Sequence, residues 1–548
     1  MVKRLLLLLA FPAIVLFIGS MSTPGMNPNT TVGSYHQLFQ TSDACMSCHN
    51  GLITSGGEDV SIGIDWRTTM MANSARDPYW HAAVRREVTD HPESQAHIEN
   101  ECSTCHMPMS HYEAKYNGQK AKIFAHLPVN RAVNRNDLLA ADGVSCTSCH
   151  QITQEKLGSY ESFVGRFVID SLKPMGQREV YGPYAVDPGL SNIMHSSSGF
   201  LQAESKHIQS SELCATCHTL ITESLGPDGE VIGELPEQVP YLEWRHSSFK
   251  DNQSCQSCHM PTVKEEVSIS SVMGQPRKQV SRHTFLGGNF FMMKMLNRYR
   301  NDLGVQALPR EMENGVLRTI EHLQNEAARL EIDTLQLVNN KLLVYLSVDN
   351  LAGHKLPTAY PSRRTWIHFT VKNESGDILF ESGSLRPDGS IVGNDNDDNP
   401  GKFEQHYSQI DSPDQVQIYE SIMAGPGDEV TTGLLTAVRF IKDNRILPDG
   451  FDKSTAEEDI AVHGRAGKDG DFTGGKDSIT YIVDVGKVTG PLYIEVELWY
   501  QPIGFRWAKN LAPYDSKETK RFVSYYDSMS HESAIKLAEA SGIWKLKF

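Results

Sequence analysis

The ten cysteines of this chain fall in five pairs, and a histidine follows every pair. Cys45 and Cys48 precede His49, Cys102 and Cys105 precede His106, and Cys146 and Cys149 precede His150. Cys214 and Cys217 precede His218, and Cys255 and Cys258 precede His259. Histidine is 21 of 548 residues, so chance would place it after all five pairs with odds of about one in ten million. Cys-x-x-Cys-His is the attachment signature of a c-type haem: two thiols become thioethers to the porphyrin, and the histidine is an axial ligand of the iron. Zinc sites do not require that histidine, and thiol-redox motifs do not recur five times. An even cysteine count first suggests disulfides, but five covalently bound haem c groups use every sulfur.

All five motifs lie within residues 45–259. Segments this short cannot each enclose a porphyrin in a private core. A compact stack of haems is expected, with the macrocycles forming much of the apolar interior. Each low-spin iron then needs a second axial ligand. His283 is the first candidate, because the glycines of SRHTFLGGN permit close approach to a flat ring. His195 and His207 follow, in a stretch ahead of the fourth motif, then His126 and His97. His81 sits on a helix opened by Asp77 and Pro78 and reads as a surface residue. His322 lies off the apolar stripe of its own helix and is set aside. After the first motif comes WRTTMMANSARDPYW, where Met71 offers a thioether ligand, although methionine also serves as core filler.

The N-terminus carries Lys3 and Arg4 before an apolar run from Leu5 to Gly19. Residues 1–23 read as a Sec-type signal, or as an uncleaved anchor because no A-x-A site follows. Either implies a periplasmic or otherwise exported protein. With 39% hydrophobic and 22% charged residues the composition is globular, and the length asks for two or three cores. The formal net charge of −16 gives no counterion-release gain, so nucleic acid is not an expected partner.

Cysteine disappears after residue 258, and the pattern changes near 330. LLVYLSV (342–348), TWIHFTV (365–371), ITYIVDV (479–485) and LYIEVELWY (492–500) alternate as strands and predict a β-sandwich. The expected organisation is a mainly α multihaem cytochrome domain with stacked haems (40–311), a linking helix (312–330), an all-β sandwich-like domain (331–510) and C-terminal helices (511–548). In GHKLPTAYPSRRTW, His354, Arg363 and Arg364 suggest docking onto the haem domain, with arginine forks meeting propionates. A plain structural loop is the competing reading. GNDNDDNPG offers Asp395, Asp397 and Asp398 to Ca²⁺, but the calcium-loop spacing is absent and a solvated acidic loop competes.

The five motifs, the CHMP extensions at Cys105–Pro108 and Cys258–Pro261, and the Trp66-x-x-Thr69-x-Met71 segment carry a resemblance. Over roughly residues 40–300 the chain resembles the multihaem cytochromes c of the c-552/554 type. Their superfamily includes hydroxylamine oxidoreductase and pentahaem nitrite reductase. The resemblance implies helices around stacked haems and a periplasmic electron shuttle. In that group a Trp-x-x-Ser-x-His segment often supplies a distal histidine; here Met71 stands in its place. Pentahaem nitrite reductases carry Cys-x-x-Cys-Lys at the catalytic haem, whereas all five motifs here end in histidine. Electron relay between redox proteins, or with a quinol-linked membrane complex, is the expected function. Chemistry on a small nitrogen or sulfur compound at one open haem is the alternative. A docking role for the β domain, or a homo-oligomer, is a third reading.

Overall fold

Strict alternation along Lys341–Asn350 buries Leu342, Val344, Leu346 and Val348 and turns the residues between them outward. That strand pairs antiparallel with Ala328–Val338 on one side and Lys476–Asp484 on the other, and Gln409–Ile410 adds a short parallel edge. A second sheet runs in the order Ile378–Ser382, Arg364–Lys372, Leu492–Gln501 and Ile535–Trp544, with Ile418–Tyr419 also paired to Arg364–Lys372. Its buried residues include Ile367, Phe369, Val371, Ile494, Val496 and Leu498. The two sheets meet where the Phe369 and Tyr481 rings stack at 3.9 Å. Each such side chain contributes about 1.5–3 kcal/mol by leaving water.

This computed structural model describes residues 37–487 and 489–545, which lie within one compact unit. The expected signal, residues 1–23, lies outside them. Among the described residues no helix is long and apolar enough to cross a membrane.

The expected division into an α half and a β half gives way to a mixed α/β fold with interspersed helices and strands. Strand pairs form between the motifs, including the hairpin of Leu220–Leu225 with Val231–Gln238 and the parallel pair of Glu179–Gly182 with Leu201–Glu204. One apolar core holds Tyr79, Phe290 and Met312 together with Val344 and Leu346 of the sheet. The linking helix is Pro309–Glu326, opened by Pro309 and by Glu311 reaching back to the Leu308 N–H. The β pattern begins at once, in Ala328–Val338.

The C-terminal segment is α-helical over Lys517–Met529 and continues as one 3-10 turn, Ser530–Glu532; Ile535–Trp544 is a strand on the edge of Leu492–Gln501. Its Lys, Leu, Ala and Glu residues favour a helix, but the open sheet edge supplies backbone partners and overrides that preference. The helix Lys517–Met529 packs back on Pro78–Asp90, with Phe522 against Tyr79 at 5.1 Å and Arg85 paired to Glu518 at 3.0 Å.

Candidate functional site

Two of the motifs are helices of five residues, Cys146–His150 and Cys255–His259, and the second motif ends the helix Gln95–His106. Helical spacing puts the first cysteine, the second at i+3 and the histidine at i+4 on one face. The CHMP extensions then stop the helix: Met107 and Met260, each before a proline, leave the helical region at φ −135° and −129°. All ten cysteines are partly buried, and burial pushes the Cys149 thiol up to about 12. Dehydrated side chains that retain exposed area line interior surfaces.

Four of the five motif histidines are held in the same way. Nδ1–H donates to the carbonyl of Ile269 from His49 at 2.5 Å, of Ser74 from His106 at 3.1 Å, and of Tyr181 from His150 at 2.6 Å. His259 makes the same bond to Leu286. A donated Nδ1–H fixes the tautomer in which Nε2 carries the lone pair, the form that ligates a metal. Trp80 lies flat on the His106 ring at 4.3 Å and fixes its plane. Paired thiols beside an imidazole of this tautomer are the donor set a haem c requires, so the residues fit the group.

The motifs also touch one another. The sulfurs of Cys45 and Cys146, of Cys105 and Cys217, and of Cys214 and Cys255 are close neighbours, and Cys149 lies within electrostatic reach of Cys217. These contacts connect all five motifs, with the fourth touching the second and the fifth. Gly165 sits between the second and fourth, its N–H donating to the Thr216 carbonyl. At φ +67°, with a Cβ that would collide with the Thr104 methyl, the position admits only glycine.

Among the histidines singled out as distal candidates, His283 stands opposite a motif. Its ring centre is 6.4 Å from that of His150, the planes 19° apart, and its buried Nδ1 has no hydrogen-bond partner. Burial, and then the charge of His150, hold it down to about 3. His195 donates from Nε2 to the Gly176 carbonyl at 2.9 Å. His207 is engaged at both nitrogens, with the Ile152 carbonyl at 2.7 Å and the Ser205 hydroxyl at 2.7 Å. His126 is likewise taken up by Asp137 and Ser110, and His97 pairs with Glu223 at 3.1 Å. Met71 is half-buried, and its carbonyl accepts from the Val144 N–H just ahead of the third motif. His81, expected on the surface, is 2% exposed and bonded to the Ala75 carbonyl and to Arg521.

Two histidines that sequence reasoning did not place among the ligands lie beside His259. The His354 ring is 6.2 Å away with planes 19° apart, and the His322 ring is 6.3 Å away at 59°. The loop bearing His354 therefore does dock onto a motif. Arg364 is not free for a propionate: its guanidinium is buried and pairs with both oxygens of Asp397, at 2.8 and 2.9 Å. Asp397 also accepts from the Ile391 N–H at 2.8 Å, so this loop aspartate is an arginine partner rather than an exposed cation ligand.

His406, Asp469 and Asp477 form one further cluster of metal-ligand type. There His406 Nδ1 accepts from the amides of Gln417 and Asn444, at 3.0 and 3.1 Å. Both amides are oriented by their own acceptor contacts, Tyr407 N–H to Gln417 and Glu420 N–H to Asn444. Nε2 thus carries the proton and donates to Asp469 at 3.2 Å, which makes the cluster a structural network.

These features describe a mixed α/β chain that gathers five Cys-x-x-Cys-His segments around shared interior surfaces. A solved structure with a similar fold is the penta-heme cytochrome c552 from Thermochromatium tepidum, at TM-score 0.51 and 13% identity. The match covers 93% of this chain and 100% of that one. No protein-family model matches the chain, and no curated protein matches it.

Proposed function

We propose that the chain is an exported pentahaem c-type cytochrome that relays electrons between redox partners. The observation that carries this reading is the pairing of imidazoles across the motifs, His150 with His283 and His259 with His354. Each pair would hold a haem iron between its two rings, and the ring separations of 6.4 and 6.2 Å leave room for it. A haem c, when bound, supplies an iron that changes its charge by one electron. The chain's own residues do the rest: carbonyls hold the Nδ1–H of four of the five motif histidines, Trp80 fixes the His106 plane, and burial keeps His106, His218 and His354 neutral, each near 4. Neighbouring sulfurs group the first motif with the third and the second with the fourth and fifth, and Cys149 near Cys217 joins the two groups, a closeness that suits a relay.

A catalytic role at the fourth motif is the second reading. The feature favouring it is Arg363, on the loop that bears His354, whose guanidinium donates to the Thr358 carbonyl at 3.0 Å and lies close enough to His218 to help hold that imidazole neutral. An arginine beside an open iron suits a small oxyanion.

Intact mass and low-temperature electron paramagnetic resonance test both. Five covalent haems per chain with low-spin signals support the relay. Fewer haems, or bound zinc, refute it. A strong high-spin signal that shifts with nitrite or hydroxylamine replaces relay with catalysis.

A further inference from the structure

Two imidazoles, His354 and His322, stand at nearly the same ring distance from His259, but one iron has one remaining axial position. Their anchoring differs. His322 lies on the helix Pro309–Glu326, and Glu326 is 3.5 Å from its Nδ1 with a largely exposed carboxylate. The residue after His354, Lys355, is completely buried in a charge cluster. Its ammonium reaches Asp443 at 2.7 Å, and Arg445 forks onto the same carboxylate at 2.9 and 2.7 Å. Arg445 also meets Glu243 at 2.9 Å. Glu243 in turn accepts the backbone N–H of Lys355 at 3.1 Å and the Thr358 hydroxyl at 2.5 Å.

We propose that the buried cluster Glu243–Lys355–Asp443–Arg445 is a positioning device through which the sandwich fixes His354, rather than His322, opposite His259. Two anions and two cations balance, so the cluster brings no net charge to the interior. Buried ion pairs of this kind add little stability over apolar residues of the same volume, and their best-attested use is to specify one arrangement. Glu243 is suited to the task because its helix, Pro240–Arg245, is tied to the fifth motif itself. The Trp244 indole donates at 2.9 Å to the carbonyl of Gln253, two residues ahead of Cys255. The cluster thus grips the loop backbone beside His354 and the segment beside His259 together.

The inference rests on the haem reading above, and its test is made on the full chain with cofactors incorporated. Thr358→Val removes a donor to Glu243 without changing charge, so its effect reports position; Glu243→Gln is the stronger companion. Spectropotentiometry of Thr358→Val is expected to move one of the five waves by at least tenfold in its oxidised-to-reduced ratio, about 59 mV for one electron. The g-values of one low-spin signal change with it. His354→Ala moves the same wave, and His322→Ala leaves all five in place. Unmoved waves in Thr358→Val and Glu243→Gln, or a wave that answers to His322→Ala and not to His354→Ala, overturn the proposal. A wild-type protein whose Cys255–Cys258 peptide carries no haem mass overturns the functional reading as well, which separates the two failures.

Discussion

Replacing Asp77 with asparagine is expected to stabilise the helix Pro78–Asp90 above about pH 6 and to leave it unchanged in acid. Asp77 caps this helix, and its Oδ1 accepts both cap bonds, from Tyr79 N–H at 2.8 Å and Trp80 N–H at 3.2 Å. Burial raises its carboxyl from an ordinary 3.8 to about 6, against the smaller opposing pull of those two bonds. Between these values the folded chain holds a proton that the unfolded chain has released. Stability is therefore fully present below about pH 4, falls as pH rises through about 6, and is flat beyond. At about 1.4 kcal/mol per pH unit, the loss is about 3 kcal/mol. Asparagine is as good an N-cap as aspartate and keeps the Oδ1 acceptor, but it has no charge to bury.

Hydrogen exchange of the amides in 78–90, corrected for intrinsic pH dependence, reads this out locally. Protection in Asp77→Asn should exceed wild type by about two orders of magnitude at about pH 8 and match it near about pH 4. Asp77→Ala, which loses the cap, should fall below Asp77→Asn by about 1 kcal/mol at every pH. The helix carries Trp80 on the His106 ring, so the same variants connect the cap to a motif. A gap between Asp77→Asn and wild type that does not change with pH would refute the reasoning, because it would mean the carboxylate is not being dehydrated.

Phe369→Ala, at the stacked contact between the sheets, should cost about 3–5 kcal/mol in denaturant unfolding. A loss below about 1 kcal/mol would mean the sheets do not meet there. Asp397→Asn leaves the buried Arg364 guanidinium uncompensated and should cost about 3–5 kcal/mol, whereas titrating wild type with Ca²⁺ should release no heat at this loop. His283→Ala should convert one low-spin signal to high spin in the haem-loaded protein, while His207→Ala, whose ring is engaged at both nitrogens, should leave the resonance spectrum intact. The reverse pattern would exchange their roles.

What could be read from the residues in order was local. The motifs declare themselves because cysteine, cysteine and histidine occupy one helical face within a single turn. The strands 342–348 and 492–500 declare themselves by alternation, and the observed Lys341–Asn350 and Leu492–Gln501 enclose them. Ile535–Trp544 was illegible for the opposite reason: its composition favours a helix, and only the neighbouring edge makes it a strand. His207, His195, His126 and His97 looked eligible because they stand near motifs in sequence, but their nitrogens serve carbonyls, hydroxyls and carboxylates close by.

An axial partner is chosen across space, so the chain carries no spacing rule for it. His354 reaches His259 from a sandwich loop; GHKLP suggests docking, but the ring it meets emerges only once Glu243 is seen accepting from the loop backbone. His322 makes the point more sharply. Lying off the apolar stripe counted against it, since the stripe marks the face that packs on the protein. Yet a ligand must be off that face, pointing where the polypeptide does not fill the interior with its own side chains. On the proposed reading the core is partly cofactor, and apolar periodicity then maps only protein-to-protein packing. The histidines that the stripe leaves out are therefore the ones to test against such a space: His322 comes within 6.3 Å of the His259 ring, although His354, at 6.2 Å, is the one the buried cluster holds in place.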